Sequence, residues 1–177
     1  MKMITKVCIA IALFSSHSYA GQSVEAIGGG ITYHVIDDGA SSKYVTKWSS
    51  DGRLIFNQLY GIKYLDESVD SYTSIAFFGG NNSIGSPMTG AMGSIGLIWG
   101  NFNYGLALGG YLQDDNAFRS KGIEPYRLAE FGNTGLVPIL GAEINYKVDL
   151  SSRFYLRLNN LISPVITNTS LSVGYRL

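Results

Sequence analysis

Apolar and polar residues alternate along most of the chain, which is the period of a β-strand whose two faces have different surroundings. Segment 135–148 is a clear case, since Leu140 and Ile144 share one parity and Glu143 has the other. The pattern predicts eight strands. Their expected bounds are 24–36, 53–65, 71–79, 88–100, 103–113, 135–148, 153–162 and 169–177.

Short and long connections alternate between these strands. The tight ones fall around Leu65–Asp70, Gly100–Asn101 and Asp149–Ser152, and the longer ones at Asp37–Gly52, Gly79–Pro87 and Gln113–Thr134. Short turns at one end and long loops at the other are typical of outer-membrane barrels. We therefore predict an all-β fold, an eight-stranded antiparallel up-and-down transmembrane β-barrel. A soluble sandwich or lipocalin-like barrel is the alternative, but its outward face should be polar.

The first twenty residues have the layout of a secretory signal peptide. Lys2 and Lys6 precede the apolar run 7–14, and Ser18 and Ala20 are small residues before a predicted cleavage at Gly21. The run is far shorter than the roughly 20 residues of a membrane-spanning helix. We expect a leader over 1–20, a barrel over 21–177, and transfer through the periplasm to the bacterial outer membrane.

Composition narrows the possible functions. The single cysteine, Cys8, lies in the predicted leader, so no disulfide or cysteine metal site is expected after processing. Without Lys2 and Lys6, 11 basic residues remain against 13 acidic ones, which argues against binding to nucleic acid. No residue pattern supplies the three or four ligands of a metal site, and no cofactor is expected.

The face predicted to point inward carries small and flexible apolar residues. Such a face could enclose a cavity for a hydrocarbon chain, or the side chains could simply fill the lumen, as is usual for eight strands. Its polar members Glu143, Lys147 and Arg157 are expected nearer the periplasmic end. The small and flexible members include Ala26, Gly28, Gly30, Met88, Gly90, Met92 and Gly109.

Two prolines fall in or beside the sixth and seventh strands. Pro138 and Pro164 cannot donate a ladder hydrogen bond, so together they could open the wall to a lipid tail. Alternatively, Pro164 simply begins a loop. His34 is the only histidine after the leader, and its parity matches Gly30. A lone histidine is more often a hydrogen-bonded interior residue than a catalytic one.

Six short segments carry a family resemblance when taken in order. They are Ile31-Thr32-Tyr33-His34, Lys43-Tyr44 with Lys47-Trp48, Ala76-Phe77 followed by Pro87, Gly105-Leu106 through Asp115-Asn116, Leu136 to Leu140, and Leu161-Ile162-Ser163-Pro164. In this order the chain resembles the PagP family of outer-membrane lipid A palmitoyltransferases. The resemblance covers nearly the whole chain after the leader. Only Gly21 to Ser23 precede the first strand, so the family's leading amphipathic helix is not expected.

The resemblance implies a mechanism in which an acyl chain passes from a phospholipid to the lipid A of lipopolysaccharide. His34 is then the candidate catalytic residue, and Asn82 and Ser83 stand where the family has an Asp-Ser pair. Pro138 and Pro164 would admit the lipid sideways. The acyl-chain pocket would contain Gly28, Gly30, Met88, Gly90, Met92 and Gly109.

A non-enzymatic outer-membrane barrel with a surface-binding or structural role is the competing hypothesis, with loops 37–52 and 113–134 as the binding elements. A pore is less well supported, because eight strands leave little free lumen. Either way we expect a monomer among membrane lipids. The alternating end of the chain, Leu171, Val173, Tyr175 and Leu177, resembles the strand that the barrel-assembly machinery recognises.

Overall fold

A computed structural model describes residues 21–34, 53–81, 85–120, 125–164 and 167–177, apart from the side chains of 29–34, 53–58 and 167. The predicted leader, the whole of the predicted first long loop (37–52), Asn82 and Ser83 lie outside the described residues. Within them the strands are β1 (Gln22–His34), β2 (Arg53–Glu67), β3 (Ser71–Asn81), β4 (Pro87–Trp99), β5 (Phe102–Asp114), β6 (Ala129–Phe131), β7 (Thr134–Asp149), β8 (Phe154–Ile162) and β9 (Thr167–Arg176), with a short helix α1 (Asp115–Arg119) after β5.

Eight of these strands close into an antiparallel barrel. Each pairs with its neighbour along the chain, β5 pairs directly with β7, and β9 returns to pair with β1. The predicted all-β, eight-stranded antiparallel barrel is therefore confirmed, and the predicted strand bounds differ from the observed ones by at most two residues at each end. The remaining strand, β6, has three residues and pairs with the first three residues of β7.

The two ends of the barrel differ in their connections. Segments 68–70, 100–101 and 150–153 are short turns at the same end as Gln22 and Arg176, which we call the turn end. The opposite end, the loop end, carries α1 and β6. The predicted alternation of short and longer connections is confirmed within the described residues.

A β-bulge in β1 alters which residues face inward. The register shifts between Ile27 and Gly30 against both β2 and β9, so the side-chain alternation changes phase there. Ala26 pairs with the exposed Val173 and lies on the outer face. Its predicted interior position was wrong, because a strict two-residue period cannot anticipate an extra residue in the strand.

The outer face of the wall is apolar, while the inner face holds the buried polar residues. Large exposed apolar side chains recur on the strands from β2 to β9. Toward the turn end, many of them are aromatic. That aromatic set is Trp99, Phe102, Tyr104, Tyr146, Phe154 and Tyr175. No helix in the described part of the chain is long and apolar enough to cross a membrane.

Candidate functional site

Arg157 is the centre of an ion-pair cluster in the turn-end half of the lumen. Its side chain is fully buried, and Nε donates to Glu25 Oε1 at 2.5 Å while Nη2 donates to Glu67 Oε1 at 2.7 Å. Lys147 donates to Glu67 Oε2 at 2.7 Å. A buried charge is tolerated only when it is paired and hydrogen-bonded in this way.

A second ion pair crosses the lumen from β2 to β7. Lys63 Nζ lies 3.4 Å from Glu143 Oε1, and the Tyr72 hydroxyl donates to Glu143 Oε2 at 3.1 Å. Since β2 and β7 lie on opposite sides of the ring of eight strands, this contact spans the barrel. We call the whole set the luminal network. Its members are Glu25, Lys63, Glu67, Tyr72, Glu143, Lys147 and Arg157.

The luminal network is electrically balanced, with three carboxylates and three cations. The sequence correctly placed Glu143, Lys147 and Arg157 toward this end, but it missed Glu25, Lys63 and Glu67. The signal that could have found them was the alternation along β1 and β2, because all three residues have odd numbers. Which strands face one another across the lumen depends on how the barrel closes, and alternation along a single strand does not carry that information.

Glycines on the inner wall make room for tyrosine rings within this half. A methyl group on Gly96 would lie 2.6 Å from Tyr72 Cε1, and one on Gly105 would overlap the same ring. Tyr155 lies in the same way over Gly174, with its hydroxyl donating to Glu25 at 2.9 Å. Each tyrosine ring can therefore lie close against the inner wall while its hydroxyl reaches a carboxylate in the lumen.

An apolar section of the lumen follows the luminal network toward the loop end. Its buried core, the apolar cluster, contains Leu59, Met88, Tyr111, Val137 and Ile139, with Phe78, Met92 and Leu161 packed against it. These residues come from β2, β3, β4, β5, β7 and β8, so they also meet across the barrel. The lumen thus has two different sections, one ionic and one apolar.

The predicted pocket residues occupy different places in this arrangement. Met88 belongs to the apolar cluster, and Met92 packs against it. A methyl group on Gly90 would lie 2.6 Å from Tyr111 Cβ and 2.7 Å from Phe78 Cζ, so rings occupy the space beside it. The other glycines lie on the wall itself: Gly28 sits in the bulge, Gly30 pairs with Ser170, and Gly109 pairs with Met92.

Pro138 lies in a stretch of β7 with incomplete pairing. On one side it pairs with Gly110 of β5. On the other side, the β6 ladder reaches Leu136 and the β8 ladder begins at Ala142, so residues 137–141 have no ladder partner there among the described residues. Pro164 is exposed and lies just beyond the end of β8.

The predicted catalytic group falls largely outside the described residues. The backbone of His34 ends β1 and pairs with Arg53, but its side chain is not among those described. Asn82 and Ser83 are not described either. The catalytic assignment of these three residues therefore stays a prediction. Within the described residues, no group of three or more His, Cys, Asp or Glu is arranged to hold a metal ion.

Polar contacts that the sequence did not predict hold residues 114–120 and 125–131 at the loop end. Asp115 is fully buried, accepts from Gln113 at 3.2 Å and lies 3.5 Å from Arg127. Glu130 accepts from Arg119 at 2.5 Å and from Arg127 at 2.7 Å. These hydrogen bonds, from Arg119 first and then Arg127, hold the pKa of Glu130 below its ordinary value.

Above this anchor the segment exposes apolar side chains. Tyr126, Leu128 and Phe131 are all largely exposed, at 47%, 72% and 63%. We call residues 114–120 and 125–131 the loop-end hairpin. Its charged side chains Asp115, Arg119, Arg127 and Glu130 are paired with one another.

Comparisons with known proteins identify no family for this chain. No protein-family model matches this sequence, and no curated protein matches it. Among solved structures, the N-terminal β-barrel domain of Pseudomonas aeruginosa OprF is similar at 14% identity and a TM-score of 0.41, over 90% of this chain and 100% of that one. The resemblance to the PagP family has no support from these comparisons and stays a prediction.

Proposed function

We propose that this protein is a small non-enzymatic barrel of the bacterial outer membrane, with a closed lumen and a surface-binding or structural role. The observation that carries the proposal is the reversal of the usual arrangement of a soluble protein. Apolar side chains face outward around the wall, while six charged side chains are paired inside. Such a surface is stable in hydrocarbon, where a closed barrel leaves no backbone edge unpaired.

The lumen argues for a barrel that does not conduct. Lys63–Glu143 and Lys147–Glu67 both join β7 to the opposite strand β2, and the apolar cluster follows toward the loop end. A solute passing through would have to break buried ion pairs and then cross an apolar section. Both steps are costly.

The loop end argues for binding at the cell surface. The loop-end hairpin is anchored by the buried Asp115, and its exposed apolar side chains continue beyond the wall of the barrel. Exposed apolar groups on an ordered segment are characteristic of interaction surfaces.

The orientation is tested with two matched cysteine variants of the chain, Ser120→Cys at the loop end and Ser152→Cys at the turn end. Both positions are exposed. In intact Gram-negative cells, a membrane-impermeant maleimide should label Ser120→Cys and should reach Ser152→Cys only after lysis. Equal labelling in intact cells, or recovery of the chain in the soluble periplasmic fraction, would contradict the proposal.

Lumen closure is tested by incorporating the purified barrel into planar bilayers. We expect no stable conductance steps from the wild-type chain. A steady ohmic conductance at low voltage would show that the luminal network does not close the barrel.

Acyl transfer to lipid A is the second candidate, and it is favoured by one observation. The stretch 137–141, which includes Pro138, lacks ladder partners on the β8 side among the described residues. This is where a lipid tail could approach the apolar cluster. Mass spectrometry of lipid A from cells expressing the wild type or His34→Ala decides the matter. A palmitate-sized gain that is lost in the variant supports transfer, and no gain with well-folded wild type excludes it.

A further inference from the structure

Asn160 is a polar residue on the apolar outer face. It shares its parity on β8 with Leu158 and Ile162, which are 41% and 51% exposed. On the neighbouring strand it is in register with Ile144, itself exposed, and Leu140 lies on the same face farther toward the loop end. An amide therefore stands among side chains that suit hydrocarbon.

The hydrogen bonds of this amide are incomplete. Asn160 Nδ2 donates to the Ile144 carbonyl at 2.9 Å, and Asn160 Oδ1 accepts from the Thr169 hydroxyl at 2.8 Å. A carboxamide has two N–H groups, and its oxygen can accept twice. One N–H and one acceptor position are thus left over within the described contacts. They lie on the outer side of the wall.

Which partner could satisfy this N–H and this acceptor position depends on how deep Asn160 lies in the membrane. It lies six residues beyond Phe154 of the turn-end aromatic set. That distance is ~20 Å along the strand, or ~15 Å along the axis of a barrel with strands tilted by about 40°. An apolar band is about 25 Å tall, so Asn160 lies near its middle, beyond the reach of water and lipid headgroups. An unpaired amide N–H is unfavourable in that environment.

We infer that a second copy of this chain supplies the missing partner, in a lateral dimer within the membrane. The unused donor and acceptor belong to one side chain, so the site is complementary to itself about a two-fold axis. Each Asn160 donates its free N–H to Oδ1 of the partner's Asn160. Ala142, in register with Ile162 and exposed, is small enough to let the two walls approach. This inference rests on the membrane location proposed above and departs from the monomer expected from sequence.

Disulfide cross-linking tests the interface in native membranes. The chain from Gly21 onward contains no cysteine, so single cysteines report cleanly. Ala142→Cys should give an oxidant-dependent homodimer, whereas Ala91→Cys, an outward-facing position on β4 well away from this seam, should not. Adding Asn160→Leu to Ala142→Cys should reduce the dimer, and adding Thr89→Val, which removes an outward hydroxyl of β4, should leave it unchanged.

The strength of the contact is measured by energy transfer between labelled copies diluted in phosphatidylethanolamine–phosphatidylglycerol vesicles. Asn160→Leu should weaken association by about tenfold, as expected for polar contacts between membrane segments. Equal cross-linking at both alanine positions, a monomer at every dilution, or an adduct with a different protein would overturn the inference. Absence of the wild-type chain from the membrane fraction would overturn the proposed function as well, whereas a membrane-bound monomer would overturn the dimer alone.

Discussion

At the scale of single residues, the lumen depends on glycines placed beneath tyrosine rings. Tyr72 lies over Gly96 and Gly105, and Tyr155 lies over Gly174. Each ring can then lie close to the wall while its hydroxyl reaches a buried carboxylate. Aromatic rings covering glycines of a neighbouring strand are a known means of fixing strand register.

Gly174→Ala should therefore destabilise the barrel, because its methyl group overlaps the Tyr155 ring. We expect a loss of about 1–3 kcal/mol, typical of overpacking. The measurement is urea unfolding in detergent micelles, followed by the gel shift between folded and unfolded forms. Gly93→Ala is the control, since its methyl group has no contact closer than 3.7 Å. An equal loss in both variants would rule out the ring contact as the cause.

Removing the cation at the centre of the luminal network should have a larger effect. Arg157→Met leaves Glu25 and Glu67 buried with fewer partners, so we expect a loss of about 3–5 kcal/mol by the same assay. Arg176→Gln breaks an ion pair with Asp149 at the exposed turn end and should cost less than about 1 kcal/mol. Addition of Glu25→Gln to Arg157→Met should recover part of the loss. Similar losses for both arginine variants would contradict a network whose effect depends on burial.

The residue-scale predictions from sequence succeeded where parity alone decides the outcome. Met88 and Met92 face inward as alternation requires, and Arg157 lies toward the turn end. Ala26 failed because the bulge after Ile27 changes the phase of β1. The partners of Arg157 could not be predicted, since Glu25 and Glu67 come close only after the first and last strands meet.

At the scale of elements, long alternating strands were predictable and short segments were not. Each wall strand has at least nine residues, so a two-residue period repeats several times along it. The helix α1 and the strand β6 have five and three residues, too few for any period to be evident. They depend instead on local contacts, such as Asp114 capping α1 through the Asn116 N–H at 2.9 Å.

The loop-end hairpin should loosen in acid. The pKa of Glu130 is lowered by its hydrogen bonds from Arg119 and Arg127, so these contacts favour the folded hairpin above the ordinary carboxyl value of 4.5. The contribution is lost as pH falls through the lowered value. A spin label on Ser120→Cys should become more mobile as the pH falls below 4.5 and through the lowered pKa of Glu130. Glu130→Gln should be mobile at every pH, and an unchanged spectrum in acid would contradict the role of this carboxylate.

At the scale of the whole molecule, the outer surface predicts where the barrel sits in a bilayer. Trp99 is 78% exposed beside the turn between β4 and β5. Tryptophans at such positions sit at the membrane–water boundary. In the variant Trp48→Phe, Trp99 is the only tryptophan, and lipids brominated near the headgroup should quench it more than lipids brominated near the chain end. Stronger quenching by the deep bromine would place the turn end inside the hydrocarbon.

The luminal network also bears on how the chain enters a membrane. The first two strands carry Glu25, Lys63 and Glu67, leaving one negative charge in excess, while β7 and β8 carry Glu143, Lys147 and Arg157, leaving one positive charge in excess. Neither hairpin is neutral by itself, and the compensating charges lie at opposite ends of the polypeptide. Stepwise entry of separate hairpins would expose uncompensated charge to lipid, so the barrel should assemble late and as one unit, once its two ends have met.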